Sequence, residues 1–396
     1  MASITKSTGS DNKPRYTVNF RDPDGRQRRK TFLKSVQATA FATSVESSKM
    51  TGTYLDPKAG EISFKSYATT WLAERPEIEE TTREAVAYRL NLHVFPRLGS
   101  KRLSQIKPST IQAWLKSVDH LAPSYRRVMF ANISSVLSAA VDDKLILENP
   151  CKVNSVKAPT VVQQKVIPWT GEQVGAVHAA LPEQYRILVT LGAGLGMRQG
   201  EIFGLSPNDV DFLRGSVEVQ RQVKLYASSR QAFGLPKRKK VRTVPLPASV
   251  RDELAAHLAA RPAREVVLPW TTVDGTPTPV ALVSSTREQT ALNRNYFNPH
   301  VWHKALAKAG VEPGRQNGMH ALRHFYASTL LDAGESIRAV SEYLGHADPG
   351  FTLRVYTHLM PSSSERTRNA VDDALSCYNT VTSTQAESMS AQVSEL

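Results

Sequence analysis

The chain has 396 residues, 41% hydrophobic and 22% charged, with a formal net charge of +14 and a pI of about 9.7. That length exceeds one ordinary hydrophobic core and predicts two or three domains, while the composition excludes a fibrous or wholly disordered chain. The cationic excess points to a polyanion, because clustered Lys and Arg gain free energy by releasing counterions from a phosphate backbone. A membrane is a poor fit: the opening MASITKSTGSDN lacks an apolar signal core, and the longest uncharged apolar-leaning run, 187–197, is far too short to span a bilayer.

In chain order, RYTVNF alternates at Tyr16, Val18 and Phe20, turns at DPDG, and resumes at RQRRKTF, a hairpin signal with cations on its returning strand. SVQATAFATSVESSKM then reads as a helix, and TGTYLDPKAGE as a short strand or connector. Residues 1–60 therefore predict a small strand–strand–helix unit, with Arg26, Arg28, Arg29 and Lys30 as candidate nucleic-acid contacts.

Residues 64–150 have a helical pattern. Thr81 with Glu84, and Ser109 with Gln112, show capping-box spacing, and Met129, Ile133, Val136, Leu137 and Ala140 form one apolar stripe. Asn149-Pro150 closes this helical bundle, because proline disfavours helix in the residue before it. Residues 151–166 have linker composition. A larger mixed α+β domain is expected over 167–375, opened by a capping box at Thr170 and Gln173. It continues with helices to about Leu205, strand alternation in GSVEVQRQVK, a basic hairpin in LPKRKKVRTVPLP, and then mostly helices. The tail 376–396 contains no Lys or Arg and is expected to be disordered or docked as a short peptide. The two cysteines, Cys151 and Cys377, form no metal-ligand cluster and fit a reducing compartment.

Two apparent motifs are set aside. GAGLG at 192–196 would need glycine where Met197 stands to make a dinucleotide loop, and no Gly-Lys-Ser/Thr follows. His320 and His324 have zinc-ligand spacing, but Ala321 occupies the position of a zinc-protease glutamate and no further ligand is placed to complete a site.

A metal-free constellation remains. GLGMRQGEIFGL puts Arg198 at the start of a short helix with Glu201 one turn on, and GMHALRHFYAS puts His320 and Arg323 on one helix face. The hairpin supplies Lys237, Arg238, Lys239 and Lys240, and LGHADPGFTLRVYTHL supplies His346 and Tyr356. Two guanidiniums can hold non-bridging phosphate oxygens and stabilise a five-coordinate transition state. A phenol is a weak nucleophile at neutral pH and needs an imidazole and a cationic site to lose its proton. The leaving 5′ oxygen needs an acid, which a hairpin lysine can reach. With the phosphate charge neutralised by arginine, neither a metal nor another cofactor is required. Taken singly, each residue has a blander reading: Arg198 a surface ion pair, His320 a structural histidine, Tyr356 a packing residue.

The boxes GMRQGEIFGL, PKRKKVRTVPL, HALRH, LGHAD and YTHL, in that order, resemble the tyrosine recombinases, the phage-type integrases. The resemblance implies a mainly helical multidomain fold with small β-sheets. It implies an arm-type DNA-binding domain over 1–60, a core-binding bundle over 64–150 that clamps duplex DNA with the catalytic domain, and a catalytic domain over 167–375. Arg198 and Arg323 would bind phosphate, Lys237 would be the general acid, and His320 would transfer protons. His346 would contact the scissile phosphate, Glu201 would buttress the site, and Tyr356 would form a 3′-phosphotyrosyl link. Choosing Lys237 within 237–240 rests on its distance to Pro245. Where many members carry a tryptophan after the first arginine box, this chain has Pro207.

The implied partners are double-stranded DNA attachment sites, three further copies of the chain in a tetramer, a DNA-bending accessory protein and an excisionase. The implied location is the bacterial cytoplasm, on the nucleoid when bound to DNA. The rivals are a type IB topoisomerase, which would religate the same strand, and a non-catalytic DNA-binding regulator.

Overall fold

The computed structural model describes every residue except 1, 10, 23–24, 51–53, 55–58, 163–165, 228, 347, 357–367, 370, 374 and 376–396. The expectations for the tail and for Cys377 lie outside the described residues. The chain folds as two units, Met1–Gln163 and Gln164–Leu396.

The first unit opens with an antiparallel sheet in the order β1-β2-β3, made of β1 (Ser3–Thr8), β2 (Pro14–Arg21) and β3 (Gln27–Phe32), against which α1 (Ser35–Met50) packs. The sequence announced β2, β3 and α1 but not β1. SITKST has no apolar alternation, all six residues are exposed, and its strand state comes from pairing with β2. Val18 and Phe20 are buried beneath α1 with Ala38 and Val45.

Register then sorts the cations. Val18 pairs with Lys30 and Phe20 with Arg28, so these two basic side chains share the helix side of the sheet. Lys30 Nζ lies 4.7 Å from the Phe41 ring centroid, and Arg28 Nε donates to Asp22 Oδ2 at 3.1 Å. Asp22 also accepts from the Arg26 amide at 2.8 Å, which fixes the hairpin turn. The open face carries Arg21, Arg29, Thr17, Asn19 and Thr31.

The helical body of this unit comprises α2 (Phe64–Ala73), α3 (Glu80–Arg89), α4 (Pro108–Ser117) and α5 (Pro123–Asp142), with a wide π-type stretch, Leu90–Gly99, continuing from α3. The α5 stripe Met129, Ile133, Val136, Leu137 and Ala140 is fully buried. Two helix starts differ from the capping-box reading. α3 begins at Glu80 and α4 at Pro108, whose missing N–H suits a first-turn position, so Thr81 and Ser109 fall inside their helices. Asn149 ends the bundle as a clamp: its amide donates to Ser134 O and Ser138 Oγ, both at 2.8 Å, and its Oδ1 accepts from the Cys151 amide at 2.9 Å. Cys151 and Val156, in the segment of linker composition, are buried in the helical core.

The second unit starts with α6 (Gly171–Ala180), where Thr170 and Gln173 form the expected reciprocal cap, with Gln173 N 3.2 Å from Thr170 Oγ1 and Thr170 N 3.0 Å from Gln173 Oε1. It continues with α7 (Glu183–Leu195) and α8 (Gln199–Phe203). Three strands, β4 (Val210–Asp211), β5 (Ser216–Val219) and β8 (Arg242–Pro245), form one antiparallel sheet, and β6 (Gln222–Leu225) pairs with β7 (Gln231–Gly234). The cations 237–240 occupy the connection between β7 and β8. After α9 (Ala248–Ala260) comes a hairpin that the expected run of helices omitted, β9 (Arg264–Pro269) with β10 (Pro277–Leu282). The chain closes through α10 (Arg294–Phe297), α11 (His303–Lys308), α12 (His320–Asp332), α13 (Ile337–Leu344) and α14 (Pro349–Tyr356). Contact between α7 and α12 forms the centre of this core, with Leu191, Leu195, Leu322 and Tyr326 buried.

Candidate active site

Two helices of this unit end on a glycine in the left-handed conformation, and both ends hold arginine. Gly196 caps α7 with φ 62°, and Gly345 caps α13 with φ 63°, a backbone conformation that costs an L side chain but not glycine. A Cβ on Gly196 would collide with the Tyr326 ring. The freed carbonyls face inward. Arg323, from the first turn of α12, is 1% exposed and donates to Gly196 O at 2.7 Å and to Leu344 O. Arg198 Nη2 reaches Gly345 O at 3.5 Å.

Arg198 precedes α8 as its cap. Its amide donates to Glu201 Oε2 at 2.9 Å and its guanidinium to Glu201 Oε1 at 2.8 Å, so one carboxylate caps the helix and orients the arginine. Glu201 is fully buried and is also gripped by Arg242, at 3.0 and 2.7 Å. Burial alone would raise its pKa, but the Arg242 hydrogen bonds and charge, with Arg198, hold it down to about 2. Arg242 Nε donates to Tyr343 O at 2.6 Å, so this residue ties the Arg198 cap to the last turn of α13.

Arg242 was not singled out from the sequence. The signal was available, because β8 alternates buried and exposed and Arg242 stands on the inward register with Val244. An inward cation demands a buried carboxylate.

The site lowers the histidine pKa values. Desolvation on the site side of the His320 ring, with the nearby His324, Arg323 and Arg198 charges, holds its pKa down to about 4, while the residue as a whole is exposed. Desolvation and the Arg323 and Arg198 charges push His346 down to about 3, and its Nδ1 lies 2.7 Å from the Oγ1 of buried Thr352. Tyr356 ends α14 at 2% exposure. Burial raises its phenol to about 12 against the opposing pull of Arg323. Its hydroxyl lies 2.7 Å from His324 Nδ1, a contact that the sequence reading missed because it treated His324 only as a rejected zinc ligand.

The hairpin cations are distributed differently. Lys237, Arg238, Lys239 and Lys240 are all exposed, with Arg238 and Lys239 at positive φ, and Lys240 Nζ donates to His346 O at 3.1 Å. The structure thus gathers Arg198, Glu201, Arg323, His320, His346 and Tyr356, adds Arg242, His324 and Thr352, and leaves Lys237 on the exposed connection between β7 and β8. Such a set can hold a phosphodiester between two fixed guanidiniums beside a buried phenol.

Residues 170–362 match the Phage integrase family, and residues 63–118 match the family described as Phage integrase, N-terminal SAM-like domain. The chain is 26% identical over 382 residues to a "Tyrosine recombinase XerC-like" protein of Caldanaerobacter subterraneus subsp. tengcongensis, covering 91% of this chain and 95% of that one. It is 25% identical over 321 residues to the integrase of Mycobacterium phage L5, covering 80% of each. Among solved structures, the Tn1549 transposon integrase in complex with circular intermediate DNA aligns with a TM-score of 0.65 at 16% identity, over 78% of this chain and 99% of that one. A lambda integrase tetramer bound to a Holliday junction aligns with a TM-score of 0.57 at 14% identity, over 91% and 95%.

Proposed function

Because the chain belongs to the phage integrase family and is a site-specific tyrosine recombinase that cleaves and rejoins DNA, we propose that Tyr356 is its nucleophile. The observation that carries this assignment is the clustering of two arginines, held by glycine-capped helix ends, with His320, His346 and the phenol that ends α14.

In this reading Arg198 and Arg323 take the non-bridging oxygens of the scissile phosphate, whose own charge replaces solvent as their counterion. Glu201 and Arg242 hold Arg198 in place, and Thr352 orients His346 toward the phosphate. Tyr356 Oη attacks phosphorus, and the 5′ oxygen leaves with a proton from Lys237. A 3′-phosphotyrosyl bond stores the energy of the broken diester, and a 5′-hydroxyl from a partner duplex reverses the step. Double-stranded attachment sites are the substrates, and four copies act on two sites, integrating and excising a mobile element with a DNA-bending protein and an excisionase as partners.

Mixed duplexes carrying a candidate site should yield recombinant joints without ATP. Relaxation of supercoiled plasmid with no joints would instead favour a topoisomerase, and binding with neither product a regulator.

Lys237→Ala should slow cleavage by about 10²–10⁴-fold on ordinary DNA. A 5′-bridging sulfur, which leaves without an acid, should restore it. If Lys240→Ala is the variant that sulfur rescues, the acid is the lysine whose amino group already lies on His346 O.

The N-terminal sheet is proposed to bind a separate duplex site through its open face, where Arg29 stands with Asn19 and Thr31. Arg29→Ala should lower the slope of log K against log salt by about 1, as expected for one lost phosphate contact. Lys30→Ala, on the helix side, should change the slope less, and equal effects would remove the distinction between the faces.

A further inference from the structure

Resting on the assignment of Tyr356 above, we propose that His324, and not His320, is the catalytic residue that takes the proton from the nucleophile and returns it during rejoining. His324 Nδ1 is 2.7 Å from Tyr356 Oη, within direct transfer distance of the reacting atom. The His324 and Tyr356 ring centroids are 5.6 Å apart with the planes tilted by 60°, whereas His320 contacts the His324 ring, at 4.7 Å and 80°. Spacing explains the pairing: His320 and His324 stand one turn apart on the same side of α12, and only the second comes level with the end of α14.

The ring also has a way to pass the proton on. His324 lines a cavity of about 490 Å³ whose walls include Ile167, Trp169, Gln173, Glu312 and Asn317. The rim of that cavity is built to stay in place. Trp169 Nε1 donates to Asn317 Oδ1 at 3.0 Å and Trp302 Nε1 to Asn317 O at 2.9 Å, pinning the turn that leads into α12.

With Nε2 carrying the ring hydrogen, Nδ1 accepts the phenol proton as the Oη–P bond forms and the P–O5′ bond breaks. The 5′ oxygen takes its proton from the hairpin lysine, and the resulting imidazolium releases its Nε2 proton to water in the cavity. Rejoining runs the same transfers in reverse, with Tyr356 as the leaving group. Burial and the Arg323 charge hold the His324 pKa down to about 4, so the ring is neutral and able to accept at physiological pH. The neighbouring Arg323 charge limits how long the imidazolium persists, which favours its discharge toward the cavity.

The test uses the full chain on nicked duplexes that trap the covalent adduct. His324→Gln, which keeps a polar group near the phenol but cannot carry the proton, should form adduct about 10²–10⁴-fold more slowly than wild type at equal DNA occupancy. A 5′-bridging sulfur should not rescue this variant, because the defect lies on the nucleophile side. Replacing Tyr356 by a fluorinated tyrosine of lower pKa in the His324→Gln background should restore adduct formation, since that phenol needs less help to ionise. Wild-type rates in His324→Gln, or a loss that fluorotyrosine fails to restore, would overturn the proposal and leave His324 a packing residue. Rescue of a His320→Gln variant alone by fluorotyrosine would transfer the role to His320. If wild type itself forms no adduct, the failure belongs to the Tyr356 assignment and is read separately from these outcomes.

Discussion

Tyr356→Phe is expected to bind DNA as wild type does and to form covalent adduct at least ~10⁴-fold more slowly, since removing a nucleophile removes the reaction path rather than one contact. The substitution deletes one oxygen from a site that is 2% exposed. It also frees His324 Nδ1 from its partner at 2.7 Å, a loss of about 1 kcal/mol in stability that would not unfold the unit. Adduct is read on denaturing gels after incubation with nicked duplexes. Persistence of the adduct in the phenylalanine variant would show that another side chain attacks phosphorus, and the assignments of His324 and Tyr356 would fall together.

Glu201→Ala should have the second large effect, and it should appear first in stability. The change strips a bidentate partner from Arg242, whose side chain is 2% exposed, and leaves that guanidinium with Tyr343 O as its remaining hydrogen-bond acceptor among the described residues. An uncompensated buried charge costs about 3–5 kcal/mol. In a unit of this size that lowers Tm by roughly 10 °C. A double variant, Glu201→Leu with Arg242→Met, should recover much of the stability but not the cleavage rate, because Arg198 would still have lost the carboxylate that orients it.

The same carboxylate sets an acid limit. Its pKa is lower in the folded chain, about 2, than the ordinary 4.5, so its stabilising contribution is complete above pH 4.5 and is lost as pH falls toward 2. Urea midpoints measured across that window should decline more steeply in wild type than in the double variant. Parallel declines would show that the Glu201–Arg242 pair adds little net stability.

Much of the site was readable in one dimension because its chemistry sits on local frames. Arg198 and Glu201 form one helix cap, and His320 and Arg323 share one turn, so spacing along the chain already implied proximity in space. The α5 stripe and the Thr170–Gln173 cap were legible for the same reason, since each is decided by residues less than a few turns apart. β1 and the β9–β10 hairpin were not. Their strand state comes from pairing, which the polar run SITKST and the segment after α9 did not advertise.

What the amino-acid sequence determined by itself was therefore the inventory: a cationic multidomain chain, the order of its boxes, and a phenol, two guanidiniums and imidazoles in frames suited to phosphate chemistry. What only the tertiary structure decided was partnership across distance in the chain. Arg242 meets Glu201, Lys240 rather than Lys237 reaches His346 O, and His324 rather than His320 meets Tyr356. On the N-terminal sheet, strand register turned Arg29 outward and Lys30 toward the helix. The physical reason is common to all four. Hydrogen bonds and ion pairs act over a few ångströms, and whether two side chains come that close depends on helix packing and strand register, which arise only when the separate segments bury their apolar faces against one another.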